Sequence, residues 1–191
     1  MKKWILCAAA LLLANTSANL CYAVTLTKAE STLVKHIDSD KAQSLALLEQ
    51  TVNINSGTMN FAGVKLVGDV FAKELQTIGL TTQWIDGKPF DRAGHLFASY
   101  NSPDKNAPKI LMIGHLDTVF SKDSPVQKYL KVDKQWVKGP GIIDMKGGDV
   151  IIVYVLKALK DAGLLNKFSI QVVMMGDEEK RGRPIKLAAK V

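Results

Sequence analysis

The chain has 191 residues, of which 47% are hydrophobic and 23% charged, and this balance excludes a disordered chain. Its formal net charge of +7 is spread over scattered lysine and arginine residues, without the basic and aromatic clusters typical of nucleic-acid-binding proteins. We therefore expect no nucleic-acid partner.

Residues 1–23 have the organisation of a secretory signal peptide: two lysines, an apolar run at residues 4–13, and small or polar residues ending at Ala23. The apolar run is shorter than the ~20 residues that span a bilayer. We expect cleavage after Ala23, or alternatively after Ala18, and hence a periplasmic or secreted protein without a stable membrane anchor. Cleavage removes Cys7 and Cys21, the two cysteines of the chain, so disulfides and thiolate metal ligands are not expected.

The spacing of apolar residues predicts helices and strands along the rest of the chain. In chain order these are two helices or one interrupted helix over 28–53, a helix over 61–79, strands over 81–85, 95–100 and 110–113, a small hairpin over 129–137, a helix over 145–162 and a strand over 168–175. The run Ile110-Leu111-Met112-Ile113 is predicted to be buried on both faces. Strand, crossover helix and buried strand in that order predict the α/β class, with a mostly parallel sheet flanked by helices.

The first candidate site is Gly114-His115-Leu116-Asp117-Thr118, directly after the strand over 110–113. Ligands collect at the carboxyl ends of strands in open α/β sheets. In an extended segment residues two apart point the same way, so His115 and Asp117 can share one face. A metal-bound imidazole usually donates its second ring N–H to a carboxylate, so Asp117 is a candidate to orient His115 directly or across the local turn. A strand end followed by an ordinary turn is the alternative.

The second candidate site is the glycine-rich loop from Gly139 to Gly148, which leads into a helix and contains one acid, Asp144. Asp144 is a candidate metal ligand, and its alternative role is that of a helix N-cap. The loop lacks the glycine-lysine-serine/threonine ending of a phosphate-binding P-loop.

The third candidate site is Asp177-Glu178-Glu179, after the second buried strand. Three consecutive acids repel one another unless a cation or a proton compensates, and a solvated acidic turn is the alternative. Adjacent glutamates can divide two tasks, one as metal ligand and one as proton acceptor. Together the three sites supply imidazole and carboxylate groups without sulfur, which is the ligand set of a catalytic zinc site.

These three motifs resemble those of the co-catalytic zinc metallopeptidases, a family that includes glutamate carboxypeptidase, succinyl-diaminopimelate desuccinylase and aminoacylase. The resemblance runs from about Thr51 onward and looks closest to the glutamate carboxypeptidase branch. It implies that His115, Asp144 and Glu179 bind metal, with Asp144 bridging two Zn²⁺ ions and Co²⁺ as an alternative ion. It also implies that Asp117 orients His115 and that Glu178 is the general base.

The implied activity is hydrolysis of peptide or N-acyl amide bonds, with a small peptide or an acylated amino acid as substrate. The resemblance further implies a strained peptide bond between Asp144 and Met145.

The family pattern continues with a further carboxylate ligand, a late histidine and a separate dimerisation and lid domain, which this sequence does not contain. We therefore expect residues 24–191 to form the N-terminal part of an incomplete zinc-peptidase catalytic domain, with weak or no activity in this form and homodimerisation only in the full-length form. The alternative is a non-catalytic periplasmic remnant that binds metal or peptide. His36 and His95 are predicted to have structural or surface roles.

Overall fold

The computed structural model describes residues 25–180. The predicted signal peptide and its cleavage sites lie outside the described residues. Within them the chain forms four helices, α1 (Lys28–Ser39), α2 (Lys41–Val52), α3 (Phe61–Ile78) and α4 (Gly147–Asp161), and six strands, β1 (Thr81–Asp86), β2 (Gly94–Tyr100), β3 (Lys109–His115), β4 (Leu130–Lys131), β5 (Val137–Lys138) and β6 (Ser169–Met175).

The helix boundaries follow from local capping residues. Thr27 and Glu30 form a reciprocal capping box at the start of α1, and Asp40 separates α1 from α2. Gly79 ends α3 in the left-handed region, with a φ of 110° that favours glycine. Of the two alternatives predicted for 28–53, two helices or one interrupted helix, the structure has two helices, and the helix predicted over 61–79 is confirmed.

The main sheet has the strand order β1-β2-β6-β3, and a separate small hairpin pairs β4 with β5. β3 and β6 are parallel and are joined through α4, as predicted, whereas β1–β2 and β2–β6 are antiparallel. The α/β class is confirmed, but the sheet is mixed over the described residues rather than mostly parallel. The connection between β1 and β2 covers only residues 87–93, which is too short for a parallel crossover.

The hydrophobic core lies between one face of this sheet and the helices. Its members include Phe71 and Leu75 of α3, Leu156 of α4, and Leu96 and Met174 of the sheet. Their burial sets β3 and β6 side by side, with the start of α4 close to the carboxyl ends of both strands.

β3 differs from its prediction. Leu111 and Ile113 are 57% and 55% exposed, so the strand is not buried on both faces. The physical reason is its position at the edge of the described sheet, where the helices cover only the face that carries Ile110 and Met112. Among residues 25–180, none of the helices has the length and apolar character needed to cross a membrane.

Candidate metal centre

The three residues predicted to bind metal lie together at the carboxyl edge of the sheet. His115 ends β3, Asp144 lies in a π-helical turn (Ile142–Lys146) before α4, and Glu179 follows β6. One ligand atom from each lies within 4.8 Å of the others. Parallel neighbours end at the same edge of a sheet, so the β3–β6 pairing is what brings His115 and Glu179 together.

The imidazole of His115 is held in a defined orientation. Its Nδ1 donates to the main-chain carbonyl of Asp117 at 3.1 Å and lies 3.5 Å from the Asp117 carboxylate. The second nitrogen, Nε2, faces the site and lies 3.0 Å from Oδ1 of Asp144. Asp117 therefore supports His115 through both its main-chain carbonyl and its carboxylate, and Nε2 is the atom that remains for a metal.

The carboxylate of Asp117 organises the surrounding turns. It is fully buried and accepts hydrogen bonds from the Thr58 hydroxyl at 2.7 Å and from the amides of Glu178 and Glu179 at 3.1 Å each. Burial by itself raises the pKa of Asp117, but the hydrogen bonds from His115, Thr58 and the two amides outweigh it and hold that pKa below its ordinary value. Asp117 thus stays ionised and fixes the backbone that carries both glutamates.

Asp144 is the exposed member of the group, with 73% of its side chain accessible. Its backbone leaves helical geometry, and the Asp144–Met145 peptide bond is cis. Asp144 is therefore not an N-cap of α4, since its carboxylate is directed to His115 instead.

Glu178 and Glu179 occupy different positions although they are adjacent. Glu179 contributes to the three-residue group, whereas Glu178 is 48% exposed and its Oε2 lies 3.9 Å from His115 Nε2. Burial, and then repulsion from Asp144, raises the pKa of Glu179. The two glutamates thus occupy different positions relative to His115.

The pKa of His115 reflects the carboxylates that surround its ring. Burial by itself lowers its pKa, but hydrogen bonds to Asp117 and Asp144 outweigh that effect and raise the pKa to about 9. The surrounding carboxylates thus favour positive charge at the point where the nitrogen and oxygen donors converge. A divalent cation with nitrogen and oxygen ligands fits this donor set, and imidazole with carboxylates suits zinc.

Three further residues support the site without having been predicted from the sequence. The buried Lys146 donates through Nζ to the carbonyls of Thr51 and Ile54, both at 2.9 Å, and so ties the π-helical turn to the end of α2. Asp149 is buried beneath Gly114 with both carboxylate oxygens unpartnered. Thr58 donates to Asp117, which is 59 positions away along the chain.

Known proteins are similar to this chain in sequence and in fold. The model of peptidase family M20/M25/M40 matches residues 111–189, which include all three predicted ligands. The chain is related to the M20/M25/M40 peptidases. This confirms the resemblance that its motifs indicate.

One curated relative is carboxypeptidase G2 of Pseudomonas sp. (strain RS-16), which is 28% identical over 153 residues, covering 80% of this chain and 36% of that protein. The fold is similar to that of the di-peptidase Dug1p from Saccharomyces cerevisiae, with a TM-score of 0.68, 20% identity and coverage of 78% of this chain and 35% of that one. Human carnosine dipeptidase 1 gives a TM-score of 0.67 at 18% identity, covering 78% of this chain and 34% of that one. The chain therefore spans about a third of the length of these proteins.

Proposed function

We propose that this chain carries the metal-binding and proton-transfer part of a zinc-dependent hydrolase of peptide or N-acyl amide bonds. The observation that carries the proposal is the convergence of His115, Asp144 and Glu179 within 4.8 Å, with Nε2 of His115 turned into the group. Three protein ligands with open coordination positions are typical of catalytic zinc sites. When bound, zinc supplies Lewis-acid activation of the scissile carbonyl and of water.

Glu178 is the residue that we assign to proton transfer. It lies beside the three ligands without belonging to them, and its exposed side chain remains accessible to water and substrate. In amide hydrolysis it accepts a proton from the attacking water and returns that proton to the nitrogen of the leaving amine. Asp117 holds the Glu178 backbone in place for both transfers.

The substrate class follows from the relatives and belongs to the proposal. Carboxypeptidase G2 and the two dipeptidases are named for the cleavage of peptide bonds, and a small peptide or an acylated amino acid is the corresponding substrate here. Export to the periplasm or the medium is also part of the proposal and rests on residues 1–23. Amino-terminal sequencing of the exported protein tests it, and a first residue at Val24 supports cleavage after Ala23.

Zinc titration of the purified chain by calorimetry tests the metal site. Removing a residue that only hydrogen-bonds to a metal ligand weakens metal binding by about 10–100-fold. His115→Ala removes a ligand itself, so we expect it to weaken zinc binding by more than about 100-fold. His36→Ala is the matched control because His36 lies in α1, outside the group. Zinc affinity that is equal in wild type and His115→Ala would contradict the metal site.

Hydrolysis is tested with acyl-amino-acid and C-terminal glutamate substrates. Glu178→Gln should retain zinc affinity within about 3-fold while abolishing any hydrolysis, because Glu178 is outside the ligand group. Zinc binding without hydrolysis by wild type agrees both with the weak or absent activity expected of this form and with the non-catalytic binding module, whereas hydrolysis that Glu178→Gln retains would contradict the role assigned to Glu178.

A further inference from the structure

His95 at the start of β2 has a defined role in the described structure, although its sequence position indicates only a structural or surface residue. Its side chain is buried, with 1% exposure, and its ring stacks on Phe90 at a centroid distance of 5.5 Å. The Gly176 amide donates a hydrogen bond to Nδ1 of His95 at 3.2 Å. Gly176 is the first residue of the turn that carries Glu178 and Glu179.

The protonation state of His95 agrees with this hydrogen bond. Burial lowers the pKa of His95, although the carboxylates of Asp177 and Asp117 act in the opposite direction. The ring is therefore neutral at neutral pH. Because Nδ1 accepts from an amide, the ring proton must lie on Nε2.

The turn over 176–180 is held at three points. Gly176 is bound by His95 at its start, the amides of Glu178 and Glu179 are bound by Asp117 in its middle, and the Lys180 carbonyl accepts from Arg92 at 3.1 Å at its end. Asp117 belongs to the metal-binding segment itself. His95 and Arg92 lie on a separate part of the chain, around β2.

We propose that His95 is a positioning residue for the metal centre, and that its Nδ1 sets the direction in which the chain leaves β6 and thereby the placement of Glu179 and Glu178. The inference rests on the proposed function. Without the acceptor, the buried Gly176 amide loses its partner, and because an unpaired buried amide is unfavourable the turn would shift to regain one. Metal sites tolerate such shifts poorly because their ligands need placement within about 0.5 Å.

Two substitutions at position 95 separate hydrogen bonding from packing. In His95→Asn the side-chain oxygen replaces Nδ1 as an acceptor. In His95→Leu a large apolar side chain fills the site but offers no acceptor. We expect His95→Leu to weaken zinc binding by about 10–100-fold and His95→Asn to remain within about 3-fold of wild type. Competition with a chromophoric chelator measures both affinities.

Ile170→Ala is the matched control because Ile170 is buried in the same β2–β6 pair, at the far end of β6 from Gly176. It should lower thermal stability without changing zinc affinity. Nitrogen NMR of the wild-type chain adds a readout that needs no variant, since Nδ1 of His95 should give the signal of an unprotonated, hydrogen-bonded nitrogen.

Three results would overturn the inference while leaving the proposed function intact: a wild-type His95 protonated on Nδ1, unchanged zinc affinity in His95→Leu, or equal weakening in His95→Asn and His95→Leu. Equal weakening in Ile170→Ala would also overturn it, since general destabilisation would then explain the effect. A wild-type chain that binds no zinc would overturn the proposed function, and the inference with it.

Discussion

Replacing Lys146 by methionine tests the titration of the buried lysine that joins the turn carrying Asp144 to the end of α2. The Lys146 side chain is fully buried and donates to the carbonyls of Thr51 and Ile54. Burial lowers its pKa from 10.5 to about 8, against the smaller opposing effect of Asp149. Between these two pH values the folded chain has released a proton that the unfolded chain still holds, so the free energy of unfolding rises with pH in this window.

The size of this effect follows from the two pKa values. A difference between 10.5 and about 8 corresponds to about 3 kcal/mol of stability, absent below about pH 8 and complete above about pH 10.5. Lys146→Met has no proton to lose at this position. The free energy of unfolding of wild type minus that of the variant should therefore increase by about 3 kcal/mol across the window.

Urea denaturation of both proteins in the presence of a chelator, at intervals from about pH 7 to about pH 10.5, measures this difference directly. The chelator keeps metal binding out of the comparison. Lys73→Met, at an exposed position of α3, controls for the loss of one positive charge. A wild-type minus variant difference that stays constant with pH would refute the reasoning, because it would mean that Lys146 titrates alike in the folded and unfolded chains.

Three other substitutions test the surroundings of the site. Burial raises the pKa of Asp149, so the free energy of unfolding of the wild-type chain falls as pH rises above about 4. The free energy of unfolding of Asp149→Asn should therefore increase relative to that of wild type by up to about 1.4 kcal/mol per pH unit. A difference in urea denaturation that does not change with pH would contradict this. A methyl group on Gly114 would collide with Oδ1 of Asp149, so Gly114→Ala should lower the free energy of unfolding by about 1–3 kcal/mol. In a double-mutant cycle, adding Asp149→Ala to Gly114→Ala should remove most of this loss, because the colliding oxygen is then absent. Thr58→Val removes a hydrogen bond to Asp117 and should weaken zinc binding by about 10-fold in chelator competition, whereas Thr58→Ser should remain close to wild type.

Much of the fold could be predicted because the signals are local. α3 and α4 have apolar residues at helical spacing and end near Gly79 and Gly163, and β6 is a predominantly apolar segment that ends in Val172-Val173-Met174-Met175. The parallel pairing of β3 and β6 followed from the helix between them. The exposed face of β3 could not be predicted, because its exposure depends on which elements pack on each side of the sheet.

The contacts of Lys146, Asp149 and His95 around the candidate ligands could not be predicted from the sequence. Lys146 and Asp149 have charged side chains, which are ordinarily exposed, so their sequence positions indicated no burial. Their burial results from the packing of α4 against α2 and β3. The hydrogen bond from Gly176 to His95 joins residues 81 positions apart, and nothing in either segment alone indicates the other.

The sequence by itself determined the order of helices and strands and the short motifs at the ends or starts of core elements, and the resemblance of these motifs to the metallopeptidases implied His115, Asp144 and Glu179 as the candidate ligands. Only the tertiary structure decided that these side chains meet within 4.8 Å, that Nε2 of His115 is the nitrogen facing Asp144, and that Glu178 lies beside the group rather than in it. The reason is that periodicity and motifs record local backbone preferences, whereas the directions of these side chains depend on hydrogen bonds to Asp117 and on strand pairing between distant segments.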